Sequence, residues 1–212
     1  MRQQEQRQQQ RVVWGGPVDA DRVLLFSDAI FAIAITLLTL ELEVRPGLHG
    51  SAFTRGLRDL LPSLGAYALS YLILGQLWLI HHRIFSVVAR IDYPVLIRNL
   101  AFLGLIAIMP FPVRLLSHYH NRPLAVAVYA LVFVVAMLLQ WLLWRDVTHP
   151  DRRHLLREPV PDHVRQGFAR AIGSMLLVFG GVVPLAMFAP RFAAVIWLVM
   201  LLGQLVVAWL NH

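Results

Sequence analysis

The chain has 212 residues, 58% of them hydrophobic and only 15% charged, with a formal net charge of +7. Soluble domains run nearer a quarter charged, so this composition belongs to a protein that crosses a membrane several times. There is no cysteine and every basic residue is arginine, which excludes disulfides, thiolate metal sites, cysteine nucleophiles, Schiff bases and Walker-lysine chemistry. The positive charge does not call for nucleic acid, because much of it flanks apolar segments, where cytoplasmic arginine is expected.

Residues 1–18, opening MRQQEQRQQQR, are polar and low in complexity and read as a disordered cytoplasmic tail. They are not a secretory signal, since the apolar stretch that follows lacks a small-residue cleavage site and is long enough to span. A span needs about 20 mostly apolar residues. The first is predicted over 21–42 and stops at Arg45-Pro46-Gly47. The second covers 60–80, after an amphipathic lead-in at 53–61, and closes in His81-His82-Arg83. The third covers 93–116, where Pro110 and Pro112 predict a kink near its far end. The fourth covers 124–144 and is followed by a polar, arginine- and proline-rich loop at about 145–163. The fifth (168–188) and sixth (192–210) are joined only by Ala189-Pro190-Arg191, a tight helical hairpin. The predicted fold is an all-α membrane protein of six transmembrane helices, with residues 19–212 as one membrane domain.

Arginine placement sets the orientation. With the N-terminus inside, the ends of the spans gather Arg83, Arg90, Arg98, Arg145, Arg165 and their neighbours on the cytoplasmic side. The outer side keeps only Arg45, Arg55, Arg58, Arg114, Arg122 and Arg191. Both termini and the long loop are therefore expected in the cytoplasm of a multi-pass inner-membrane protein. Trp14, Trp78, Trp144 and Trp209 fall toward span ends, as interfacial anchors do.

The first span holds the sharpest signal, the acid Asp28 within an almost wholly apolar run. A carboxylate at the centre of a membrane helix costs roughly 2.5–3.5 kcal/mol on insertion scales, so such a residue is a functional candidate by default. After it, Ile33, Leu37 and Leu40 share one helical stripe with Thr36 beside it. Facing copies of itself around a symmetry axis, that stripe would make a narrow, hydrophobic, hydroxyl-edged pore.

The topology brings a polar constellation to one depth. Arg22, Ser27 and Asp28 open the first span, Trp78, His81 and His82 close the second, and Arg98 and Asn99 open the third. Asp28 then has an arginine or imidazole cations as candidate partners, and Asn99 supplies both donor and acceptor. The plainer reading leaves each group solvated at headgroup level. His81 and His82 are not read as metal ligands, because adjacent helical residues diverge by about 100° and no further ligand lies at a useful spacing.

Arg22-x-x-x-Phe26-Ser27-Asp28, followed by AIFAIAITLLTLEL, resembles the signature of the endolysosomal potassium-channel family, transmembrane protein 175, and its bacterial members above all. The resemblance extends to the isoleucine five residues and the threonine eight residues after the aspartate, the tryptophan and histidine pair closing the second span, and Arg98-Asn99 opening the third. One copy of the motif per chain matches the bacterial relatives, which are homotetramers; the animal proteins carry two copies and pair as dimers. The resemblance implies a potassium-permeable cation channel whose first helices line the pore. It makes Ile33 the hydrophobic constriction, Leu37 and Leu40 further pore-facing rings, and Thr36 a hydroxyl layer associated with selectivity. Arg22, Phe26, Ser27 and Asp28, with a histidine of the second span, become the network behind the motif. No T-V-G-Y-G filter string occurs here, so discrimination would come from pore width and partial dehydration. The implied partners are three further copies, the bilayer and monovalent cations. No cofactor or metal is implied.

Two rival readings remain. Asp28 could be the proton or sodium site of a coupled transporter, yet such proteins show internal repeats and broken helices, and the first span has neither glycine nor proline. A membrane-embedded enzyme would need a nucleophile with partners, and Ser70, Ser117 and Ser174 have none at helical spacing. Glu41 sits beyond Leu40 at the outer end of the stripe. It is either a member of an acidic ring at the mouth or an interfacial acid that pairs, with Glu43, to Arg45.

Overall fold

The computed structural model describes residues 18–44, 46–119 and 122–188. The chain begins with β1, Val18–Asp19, and enters α1, Ala20–Leu37, where the Asp19 side chain accepts from the backbone N–H of Asp21 at 2.9 Å. That cap, with Asp21 in the first turn, places two acids at the positive end of the helix dipole. A 3₁₀ turn, Leu38–Glu41, ends the segment. The chain then reverses through Gly47 and Gly50, whose φ of +79° and +56° favour a residue without Cβ.

A short amphipathic helix, α2 (Ser51–Asp59), leads into α3 (Leu61–Ser86). A two-residue strand, β2 (Arg90–Ile91), pairs antiparallel with β1. The third predicted span is two helices, α4 (Tyr93–Ile108) and α5 (Pro110–His118), broken at Met109. The break is chemical: Pro110 has no N–H to continue the ladder, so Met109 donates to Ile106 O at 3.1 Å and the chain restarts. Then come α6 (Pro123–Val147), a 3₁₀ segment Pro150–Leu155 in the polar loop, and α7 (Asp162–Phe188).

Among the described residues four segments are long and apolar enough to cross a membrane: Ala20–Glu41, Ser51–Ser86, Tyr93–His118 and Pro123–Val147. The fifth predicted span forms the larger part of α7. The sixth lies outside the described residues, as do the predicted tail before Val18, Trp14, Arg45, Arg191 and Trp209. The second span runs further than its sequence suggested. The helix passes through His81-His82-Arg83 because Ile84 and Phe85, both buried, resume the apolar face.

The core is a single cluster to which every long helix contributes, centred on Phe31, Ile73, Leu77, Phe102, Tyr129 and Phe133. α1 packs on α3 and α4, and α6 packs on α4, α5 and α7. Trp144, expected as an interfacial anchor, is 3% exposed and donates its indole N–H to Arg165 O at 2.9 Å, fastening α6 to the start of α7.

At the end where α1 begins, the polar loop is stitched to the bundle. Arg157 N–H bonds Val87 O at 2.9 Å and its Nε bonds Val88 O at 3.1 Å, while its guanidinium pairs with Asp21. Arg152 bridges Asp92 and Asp146, both at 3.1 Å. Arg98, placed with Asp28 by its sequence position, pairs instead with Asp146 of α6.

Candidate functional site

Winding α1 at 100° per residue separates its two faces. Ala20, Val23, Ser27, Phe31, Ala34 and Leu38 fall within about 100° of arc and are all buried. Arg22, Phe26, Ile33, Thr36, Leu37 and Leu40 fall within a similar arc on the opposite side and are all exposed. The first face is packed within the chain; the second has no packing partner among the described residues.

The buried face carries a directed chain of hydrogen bonds. Ser27 Oγ–H donates to Val23 O at 2.8 Å, leaving its oxygen to accept from Asn99 Nδ2 at 3.2 Å. Asn99 Oδ1 is then the acceptor toward His81 Nε2 at 2.9 Å, so His81 carries its proton on Nε2. Ser27, His81 and Asn99 are each 0% exposed, and the chain joins α1, α4 and α3 in the order of its bonds. The imidazole is stacked on Phe85 and Phe102, with centroids 4.5 and 5.4 Å away, and Phe31 of α1 lies at 5.8 Å. Rather than facing headgroups, His81 is sealed in the middle of the packing.

Asp28 is half-buried and accepts from Trp78 Nε1 at 2.8 Å. Its partner is thus an indole N–H, not the arginine or imidazolium its sequence position suggested. A half-exposed carboxylate at a helix surface is met by a neutral donor. His82 is exposed and only its ring approaches Trp78, at 5.6 Å. Arg22 makes no hydrogen bond or ion pair among the described residues, because 100° winding turns it, with Phe26, onto the outward face. The structure therefore brings Ser27, Asp28, Trp78, His81 and Asn99 together and leaves Arg22, Phe26 and His82 outside the hydrogen-bonded set.

The stripe is left bare. Ile33 is 59% and Leu40 65% exposed. Thr36 Oγ1 donates to Ile33 O at 2.9 Å, so the hydroxyl oxygen keeps its accepting side turned outward. Glu41 departs from both sequence expectations. It is not on the exposed stripe, and Arg45 lies outside the described residues: the Glu41 side chain is 3% exposed and Arg114 Nε donates to its two oxygens at 2.9 and 3.1 Å. At 100° per residue Glu41 already falls at the angle of Val23, the edge of the buried arc, and the three-residue winding of the turn brings it under Leu38. The Glu41–Arg114 pair was missed in the sequence, although a clue was there: one acid and one base, each at the far end of an apolar span.

A half-open cavity of about 940 Å³ lies beside this pair, lined by Glu43, Arg55, Asp59, Arg114 and His118 among others. Among the described residues no group of three or more His, Asp or Glu could hold a metal ion.

The profile of the family described as endosomal/lysosomal potassium channel TMEM175 matches residues 22–110. A protein of Streptomyces collinus named as a potassium channel is 38% identical over 161 residues, covering 74% of this chain and 78% of the relative. A second, from Chamaesiphon minutus and likewise named a potassium channel, is 38% identical over 141 residues, 63% of this chain and 68% of that one. In three dimensions the chain is similar to the crystal structure of a lysosomal potassium-selective channel TMEM175 homolog from Chamaesiphon minutus. The TM-score is 0.76 at 28% identity, covering 87% of this chain and 95% of that one.

Proposed function

We infer that this chain, which belongs to the TMEM175 family, is a potassium-permeable cation channel that conducts passively through a hydrophobic constriction. It is a multi-pass membrane protein and its relatives are channels, not enzymes. On this reading four subunits place their α1 helices around one axis. Ile33 forms the constriction, Leu37 and Leu40 form further rings, and Thr36 supplies a hydroxyl layer. The sixth span, both termini in the cytoplasm and a place in the bacterial inner membrane complete the reading.

The supporting observation is the composition of the bare face of α1. On α6 the exposed Leu124, Leu131, Leu138 and Leu142 make a stripe that is apolar until it meets Arg145 at the loop end. The exposed stripe of α1 mixes Phe26, Ile33, Leu37 and Leu40 with Arg22 and Thr36. Each stripe has an arginine at one end, Arg22 or Arg145, so the difference is the Thr36 hydroxyl amid the apolar run of α1, which suits water and sister helices better than acyl chains. A coupled transporter built on Asp28 is not favoured, since that carboxylate is engaged by Trp78 and α1 is an unbroken helix.

The test is flux from liposomes holding this protein alone. A potassium gradient is expected to drive uptake with no second ion, in a particle the size of a tetramer. Obligatory coupling to protons or sodium, or conduction by a stable monomer, overturns it.

A further inference from the structure

At its far end α1 stops being α-helical before the segment stops. Leu38–Glu41 winds as a 3₁₀ turn, and the hydroxyls of Thr36 and Thr39 each bond the carbonyl three residues back, at 2.9 and 2.7 Å. Such bonds compete with the helical ladder, and a 3₁₀ turn has poorer hydrogen bonds of its own. The turn therefore needs external support. Leu38, 0% exposed, fixes one side of it in the core. Glu41, on the same side, is fixed by Arg114 of α5, whose own side chain stays 63% exposed at the rim of the cavity. A carboxylate so buried at the end of an apolar span needs a cation to stay there. On the opposite side of the turn stands Leu40, whose direction follows from the rotation that Leu38 and Glu41 impose.

We propose that Glu41 and Arg114 are a positioning pair for conduction: they hold the 3₁₀ turn and so set where Leu40 stands at the outer mouth of the pore. The proposal rests on the reading that α1 lines that pore. It replaces an acidic ring, because a carboxylate neutralised within its own subunit does not concentrate cations at the mouth.

The chain has no cysteine, so Leu40→Cys gives a single thiol. Reconstituted channels carrying it are exposed from the outer side to a cationic and to an uncharged thiol reagent, and the rate of current block is read. Block in the parent upholds the pore reading; reaction without block sinks that reading and the positioning role with it. Given block, adding Glu41→Gln or Arg114→Gln is expected to shift the rate for both reagents by about threefold or more, and adding both is expected to shift it no further. An unchanged rate with the uncharged reagent, or effects of the two substitutions that add, overturns the pair while leaving the pore reading intact. Should a glutamine variant fail to assemble, Arg114→Lys carries the test. It keeps the charge but loses the Nε–H, and a parental rate in that variant overturns the proposal.

Discussion

The two faces of α1 have nearly the same apolar character and opposite fates. Phe31, Ala34 and Leu38 on one side are at most 1% exposed, whereas Phe26, Ile33 and Leu40 on the other are more than half exposed. Hydrophobicity does not separate them. What separates them is the destination of the polar groups: Ser27 is bonded into the subunit through Asn99 and His81, and Thr36 bonds only its own helix. In a membrane, where apolar residues are accepted by lipid and protein alike, one chain of hydrogen bonds fixes the rotation of a helix. The face turned away is then defined by exclusion.

Breaking the buried side is expected to have the largest effect. Asn99→Ala strips a donor from Ser27 and an acceptor from His81, both 0% exposed. His81 Nε2–H is then buried without a partner, at about 1–3 kcal/mol, while Ser27 keeps its bond to Val23 O. Thermal melting in mild detergent is expected to fall steeply, with loss of the assembled form; a wild-type melting point would mean the chain of bonds does not fix α1. Trp78→Phe, next in size, leaves the Asp28 carboxylate without its donor, at about 1–2 kcal/mol. Asp28→Asn still offers an amide oxygen to that indole and is expected to cost less than Trp78→Phe. The reverse order would reveal a cation paired with Asp28 from another copy of the chain.

The exposed side sharpens the comparison by moving conduction instead of stability. Ile33→Asn is expected to change melting little, because Ile33 is 59% exposed, and to raise conductance roughly severalfold by wetting the constriction. Ile30 and Ile35 pack against the core. Asparagine there is expected to lower the melting point and leave conductance alone. Equal conductance changes at all three positions would mean that the stripe is misassigned.

Much of this was legible in the sequence, and the reasons are physical. Lengths of apolar runs gave the four membrane-length segments among the described residues, and helical spacing gave the bare stripe. The meeting of Ser27, Trp78, His81 and Asn99 followed from three antiparallel spans sharing one depth. The partners were less legible. Nothing in the spacing said that Asp28 would take an indole N–H, or that Arg98 would reach across to Asp146 in a later span. Glu41 misled because it stands next to Leu40 and one turn beyond Leu37, although at 100° per residue it eclipses the buried Val23, and the four-residue 3₁₀ turn brings it further round, under Leu38. The end of the second span misled because charge at His81-His82-Arg83 outweighed the apolar Ile84 and Phe85 beyond it.

The smallest effect belongs to the other end of α1. Asp21 pairs with Arg157, as Glu41 pairs with Arg114, but the side chains of the first pair are 65% and 46% exposed. A pair so open to water contributes about 0.2–1 kcal/mol and is screened by salt. Arg157 is also tethered independently, through its N–H to Val87 O and its Nε to Val88 O, so the loop stays in place when the acid is neutralised. Asp21→Asn is therefore expected to lower the melting point slightly in dilute buffer. The difference should close near 1 M salt, where the Debye length is about 3 Å. A loss that persisted at high salt would give this exposed pair the weight assigned to the buried one, and the contrast between the two ends of the helix would fail.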